Sequence, residues 1–333
     1  MTVNFHLDPS VGTPDMALAP IRAGFGRGLL EAGRQDSRVV ALCADLTEST
    51  QMHLFQREFP DRFIEVGIAE QNLVTVAAGL ARAGKIPFTS SYAAFSPGRN
   101  WEQIKTTAAL NNQPVKIVGS HTGLNVGPDG ATHQMLEDIA LMRVLPNMIV
   151  IAPGDSIEAE KATLALARID SPGYLRLARD ATPIISTHSS PFEIGRGYVL
   201  REGADLTLIG TGTMTYQALV AAEHLAGNGI DAEVLHLPTI KPLDATVILQ
   251  SAAKTGYVVT AEEAQIAGGL GGAVAELLSE QLPTRLLRLG VQDRYGESGT
   301  PADLLDAFAL TGPQLAAQIR AAYDTHQRSQ ALV

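Results

Sequence analysis

The chain has 333 residues, 45% of them hydrophobic, so about two domains with sizeable cores are within reach. Its formal net charge of −10, with no long Lys/Arg run, excludes a protein that grips nucleic acid through a basic face. A single cysteine, Cys43, excludes an internal disulfide framework, and its apolar strand context makes it a buried, inert thiol.

No run reaches the roughly 20 apolar residues of a membrane helix. Residues 1–20 are mixed and proline-containing, unlike a secretory leader. The expectation is a cytoplasmic enzyme or enzyme subunit, with no membrane association.

After a tail over 1–16, β-branched runs alternate with helical patterns. Val39–Cys43, Phe63–Val66, Ile86–Ser90, Val115–Gly119, Met148–Ala152 and Gly173–Leu177 read as strands. Helices fit Ala17–Gly33, Gln51–Glu58, Ala69–Ala83, Arg99–Leu110, Leu136–Val144 and Ser156–Ala167. Such alternation predicts a mostly parallel sheet covered by helices on both faces, here over 17–180. Asp180–Pro191 breaks the pattern with two prolines and several Ser/Thr, which sets a linker at 181–192. A second, smaller α/β domain follows over 193–333. Its strands are Gly197–Arg201, Leu206–Gly210, Ala232–His236, Gly256–Ala261 and Arg285–Leu289. Its helices lie near Thr213–Ala226, Asp244–Ala253, Leu270–Gln281, Ala302–Phe308 and Pro313–Tyr323. The fold class is therefore α/β, two open, mostly parallel-sheet domains.

Helix Ile68–Ala83 is apolar or small on every face, with its polar residues at the two ends. Such a helix is buried all round, here by another subunit in preference to the second domain. Glu70 is the one acid between Ile68 and Gly84. It opens that helix, where free N–H groups favour a carboxylate, and follows a strand end, where open α/β sheets bind ligands.

Tyr92 and Phe95 leave the next strand on a small-residue loop and could form a platform for a flat ring. His121 follows strand Val115–Gly119. Asp129 and His133 follow on the glycine-punctuated loop Gly127-Pro-Asp-Gly-Ala-Thr-His-Gln134. Two histidines and an aspartate at strand ends favour acid/base and hydrogen-bonding work on a hydroxylated substrate. No Cys/His pair or His-Glu-x-x-His spacing supports a metal site. Arg22, Ser49 and Arg179 are scattered; gathered at one sheet edge, they could hold a phosphate. Thr300, Pro301 and Asp303 read as a helix start, and Gly268–Gly272 as a structural turn.

Glu65-Val-Gly-Ile-Ala-Glu-Gln-Asn72 and Asp129-Gly-Ala-Thr-His-Gln134, in this order, resemble the transketolase family of thiamine diphosphate enzymes. Glu262-Glu263 with Gly268–Gly272 adds support in the second domain. The resemblance runs from about Ala17 to the C-terminus, and covers only the pyrimidine-binding and C-terminal domains. It implies the C-terminal subunit of a split, two-gene transketolase. By resemblance Glu70 would hydrogen-bond the cofactor's aminopyrimidine, Phe95 would stack on it with Tyr92 beside, and Asp45 would lie near. Asp129 and His133 would contact substrate hydroxyls, with His121 close by. Arg22, Ser49 and Arg179 match positions that bind a sugar phosphate. The family's Gly-Asp-Gly with a later asparagine, which holds Mg²⁺ and diphosphate, has no counterpart here. A partner N-terminal subunit would supply it, in an α2β2 assembly. The resemblance also admits a split 1-deoxyxylulose-5-phosphate synthase-like enzyme and, third, a β-type subunit of a 2-oxo acid dehydrogenase.

Overall fold

The computed structural model describes residues 6–330. The start of the tail expected over 1–16 and the last three residues lie outside them. The strands in chain order are β1 Leu18–Pro20, β2 Val39–Cys43, β3 Phe63–Glu65, β4 Ile86–Tyr92, β5 Lys116–Ser120, β6 Ile149–Ile151 and β7 Gly173–Arg176. They continue as β8 Ala181–Pro183, β9 Tyr198–Arg201, β10 Leu206–Gly210, β11 Ala232–His236, β12 Thr239–Lys241, β13 Tyr257–Gln265 and β14 Arg285–Val291.

Two mostly parallel sheets result. The first runs β12-β6-β7-β5-β4-β2-β3 and the second β14-β13-β10-β11-β9. Strands β2, β10 and β11 are buried at every position; β2 and β10 accordingly read as apolar or β-branched runs, while β11 also buries Glu233 and His236. The chain passes outward from β2 to β3, then returns to β4 on β2's other side. The strand order therefore reverses between β2 and β4. Open α/β sheets bind ligands in the crevice at the carboxyl ends of such a pair.

Three short strands have no counterpart in the pattern reading. Within the segment expected as linker, β8 pairs antiparallel with β1. β12, which follows β11, crosses back to close the first sheet against β6, also antiparallel. The two layers thus share more than a covalent linker. One apolar cluster runs from Leu42, Leu73 and Val150 to Ile209, Leu235 and Val274 without interruption.

Helix Ile21–Gln35 packs on helix Ser156–Ala167 through glycine. A Cβ at Gly24 would stand 1.8 Å from the Ser156 carbonyl oxygen, so only glycine permits this approach. The packing sets the first turn of the helix, with Arg22, beside the carboxyl ends of the strands. Helix Glu70–Arg82 buries Leu73, Val74, Ala77, Ala78 and Ala81. A fully buried leucine such as Leu73 contributes about 1.5–3 kcal/mol. The opposite face, with Ile68 at 74% exposure, Asn72 and Gly79, is open in this chain. The second domain does not cover it. Among the described residues no helix is long and apolar enough to cross a membrane.

Candidate functional site

The carboxyl ends of β2, β4, β5 and β7 bring most of the singled-out residues together. Ser49, on the loop after β2, places Oγ 2.7 Å from the Tyr92 hydroxyl at the end of β4. This contact bridges the crevice where strand order reverses. The same Oγ lies 3.4 Å from His121 Nε2, and Ser120 Oγ lies 2.8 Å from His121 Nδ1. The His121 ring stacks on Tyr92 with centroids 3.8 Å apart. Tyr92 and Phe95 lie nearly parallel at 6.0 Å, and His133 meets Phe95 edge-on at 5.5 Å. These contacts form a wall of four rings, half-buried except for the buried His121.

Two guanidinium groups close one end of the wall. Arg22 Nε donates to the Arg179 carbonyl at 2.9 Å, and its Nη1 donates to the Ser49 carbonyl. Arg179 Nη1 donates to the Val126 carbonyl at 2.6 Å and lies 3.4 Å from Asp129 Oδ2. Burial first, and Arg179 second, push the Arg22 guanidinium below its ordinary value. This cationic corner favours an anion.

The same charges act on His121. Burial pushes its imidazole down to about 3, helped by Arg22, Arg179 and His133. It is 1% exposed and neutral near pH 7, so it can hydrogen-bond without carrying charge. Its backbone sits at φ 57°, a conformation that costs a non-glycine residue energy and is held by the surroundings.

Glu70 is 2% exposed at the start of its helix. Its Oε2 accepts from Arg99 Nη1 at 2.5 Å, and its carbonyl accepts from Asn100 Nδ2 at 2.7 Å. The Arg99 guanidinium also lies 4.8 Å from the centre of the Phe95 ring. Glu70 and Phe95 therefore face one space, which a planar cation-like group already spans. Asp45 stands apart from this network. It is exposed, at φ 58°, and its N–H donates to Glu65 Oε1 at 2.8 Å. Glu65 also accepts from the Gly67 N–H and so fixes the turn leading to Glu70.

Pattern reading left Arg99 without a role, although it sits four residues after Phe95 with its N–H on the Phe95 carbonyl. It also missed the buried group of Tyr174, Arg176 and Asp138, where Asp138 Oδ2 accepts from Tyr174 at 2.7 Å and Arg176 Nε at 2.9 Å. The Gly268–Gly272 turn does meet an anion. It is internal: Glu262 accepts from the Leu270 and Gly271 N–H groups, each at 2.8 Å. Burial still pushes that carboxyl up to about 7. Thr300 caps helix Pro301–Ala307, accepting from the Asp303 N–H at 3.2 Å. Among the described residues no three His, Cys, Asp or Glu side chains gather as a metal-holding group. A cavity of about 590 Å³ lies elsewhere, lined by Asp36, Arg38, Lys85 and Asp170, and none of the site residues borders it.

The sequence matches the transketolase pyrimidine-binding domain over residues 19–184 and the transketolase C-terminal domain over residues 195–315. The chain belongs to the transketolase family. It is 46% identical over 302 residues to a protein of Methanocaldococcus jannaschii described as a transketolase C-terminal section, covering 90% of this chain and 95% of that one. It is 44% identical to a 6-deoxy-6-sulfo-D-fructose transketolase subunit of Clostridium sp. (strain MSTE9), covering 90% and 92%. A solved split-gene transketolase, an inactive β4 tetramer, superposes with a TM-score of 0.86 at 44% identity, covering 92% of this chain and 98% of that one.

Proposed function

We propose that this chain is the C-terminal subunit of a split, thiamine diphosphate-dependent transketolase, moving a two-carbon ketol unit from a ketose phosphate to an aldose acceptor. One observation carries the reading. The buried Glu70 carboxylate and the Phe95 ring face a common space at the strand-order reversal, in a chain that matches only the pyrimidine-binding and C-terminal domains.

The residues fit the organic half of the cofactor. Glu70 is a buried oxygen partner for a ring nitrogen, and Phe95 offers an aromatic face tilted 74° to the His133 ring. Arg99 now bridges the two, and its side chain is 48% exposed, so it has solvent to withdraw into. The fit ends there: the described residues offer no metal-holding group. Mg²⁺ and diphosphate contacts fall to a partner subunit carrying the diphosphate-binding domain.

When bound, thiamine diphosphate supplies the electron sink for breaking a carbon–carbon bond. This chain's residues do the rest of the work on their side. Glu70 holds a proton at the pyrimidine nitrogen. Phe95, with Tyr92 behind it, fixes the ring plane. His133 and Asp129 engage substrate hydroxyls, and proton transfer by His133 contributes on the order of 10²–10⁴-fold. Neutral His121 shares hydrogen bonds with the same substrate end. Arg22, Arg179 and Ser49 hold the terminal anion through charge-assisted hydrogen bonds. The open face of helix Glu70–Arg82 would meet a further subunit in an α2β2 assembly.

Co-expression with the gene encoded beside it, followed by assay with thiamine diphosphate, Mg²⁺ and a panel of ketose phosphates, tests this reading. The panel includes 6-deoxy-6-sulfofructose, since the Clostridium relative is named for it and a sulfonate suits the same cationic corner. Aldose release that requires both polypeptides is the expected result. Carbon dioxide release from pyruvate would replace it with a 1-deoxyxylulose-5-phosphate synthase-like activity.

A further inference from the structure

The segment from His121 to Gly130 carries one candidate histidine and Asp129, and leads to His133. Its backbone forms short 3₁₀ turns over Leu124–Asp129 that are interrupted at Gly127. His121, Gly123, Gly127 and Gly130 take φ values of 57°, 70°, 75° and 75°. Part of its support comes from the first domain, where the Leu177 and Met135 carbonyls accept from the Thr122 and Gly123 N–H groups, and part comes from the second domain. Glu263, on β13, reaches across the domain boundary. Its Oε1 accepts from the Asn125 N–H at 2.5 Å, and its Oε2 accepts from Thr213 Oγ1 at 2.5 Å. A Cβ on Gly123 would lie 2.5 Å from the same Oε1, so the carboxylate packs directly on the loop backbone.

The grip connects to the anion corner. Asn125 Oδ1 accepts from the Asp180 N–H at 2.6 Å, beside Arg179. The next loop residue, Val126, supplies the carbonyl that Arg179 holds. The main chain of Glu263 is itself fixed, because its carbonyl accepts from Arg176 Nη2 at 2.9 Å. Glu263 is 3% exposed. Burying a carboxylate this deeply is costly unless its oxygens are well supplied with donors, and here they are.

We propose that Glu263 is a positioning residue of the second domain, setting the 121–130 backbone so that Arg179 and Asp129 present one geometry to the substrate's anionic end. It rests on the reading of that corner given above. The second domain thereby takes a part in substrate binding without touching substrate.

The test uses the full-length chain assembled with its diphosphate-binding partner, as wild type, Glu263→Ala and Glu263→Gln. Glutamine can keep its oxygen on the Asn125 N–H and turn its amide toward Thr213, whose hydroxyl then accepts. Three quantities are measured: hydrogen exchange of segment 122–130, thiamine diphosphate affinity by calorimetry, and KM and kcat for a ketose phosphate. Glu263→Ala should raise exchange in that segment, leave cofactor affinity unchanged, and raise KM by roughly 10-fold with a smaller fall in kcat. Glu263→Gln should restore exchange and KM. Unchanged exchange and KM in Glu263→Ala overturns the proposal. So does a fall in melting temperature with kinetics per folded complex intact. If Glu263→Ala fails to assemble, Thr213→Val removes one of the carboxylate's donors, and an undisturbed loop in that variant is equally fatal. Should the wild-type complex bind no thiamine diphosphate, the functional reading falls, while the exchange measurement still decides whether Glu263 holds the loop.

Discussion

Replacing His121 with glutamine should change how stability depends on pH, by an amount that the structure fixes. In the unfolded chain this imidazole titrates near its ordinary value of about 6.5. In the fold it is pushed down to about 3, by burial first and then by Arg22, Arg179 and His133. The unfolded state therefore takes up the proton more readily. The group's contribution to stability is fully present above the unfolded value and is lost as pH falls from about 6.5 towards about 3. Each unit corresponds to about 1.4 kcal/mol, so at pH 5 the loss is on the order of 2 kcal/mol. That figure is insensitive to the folded value so long as it lies well below 5. Glutamine keeps hydrogen-bonding atoms for Ser49 and Ser120 but does not titrate. Urea unfolding followed by the fluorescence of the single tryptophan, Trp101, at pH 7 and pH 5 reads the effect. Wild type should lose about 2 kcal/mol more than His121→Gln over that interval, a relative midpoint shift of about 1 M at typical urea slopes. Other titrating groups are common to both proteins and cancel. Equal losses, or an NMR titration of His121 near pH 6.5, would refute the reasoning.

Arg176→Met should leave Asp138 buried without its cation and cost about 3–5 kcal/mol, read as a lower urea midpoint. Adding Asp138→Leu to that variant should recover part of the loss. Arg22→Ala and Arg179→Ala should each weaken binding of phosphorylated donors by roughly 10–100-fold in KM while barely altering KM for uncharged sugars. An equal effect on both classes would remove the anion assignment. Phe95→Ala should weaken thiamine diphosphate binding to the assembled complex by about 10-fold, from lost ring contact, with the melting temperature little changed.

Much of this architecture was legible because buried parallel strands have one simple signature. Val39–Cys43 and Leu206–Gly210 emerge with the bounds expected from their apolar or β-branched runs, and Ala232–His236 with its expected bounds although it carries Glu233 and His236. The three-residue strands β1, β8 and β12 did not, because each owes its extended form to a partner remote in sequence. At the site, strand ends were the useful guide. They pointed to Tyr92 and His121, while Ser49 and Arg179 came in by resemblance, and the structure gathers all four at one edge. Asp45, named by resemblance, stays outside that network. Arg99 received no role, since its significance lies in two contacts, to Phe95 and to Glu70, that only the folded loop creates. Adjacent glutamates 262 and 263 were equally opaque. Neighbours on a strand point to opposite faces, so one caps its own domain's helix and the other reaches the loop of the first domain.

The central claim is that this polypeptide provides half of a cofactor site, centred on Glu70. Calorimetric titration of thiamine diphosphate with Mg²⁺ into the chain alone, the partner subunit alone, their complex, and the complex bearing Glu70→Ala tests it most directly, with ketol transfer measured on the same samples. The account predicts tight binding and turnover for the wild-type complex only. Full binding and turnover by the isolated chain, or by the Glu70→Ala complex, would contradict it.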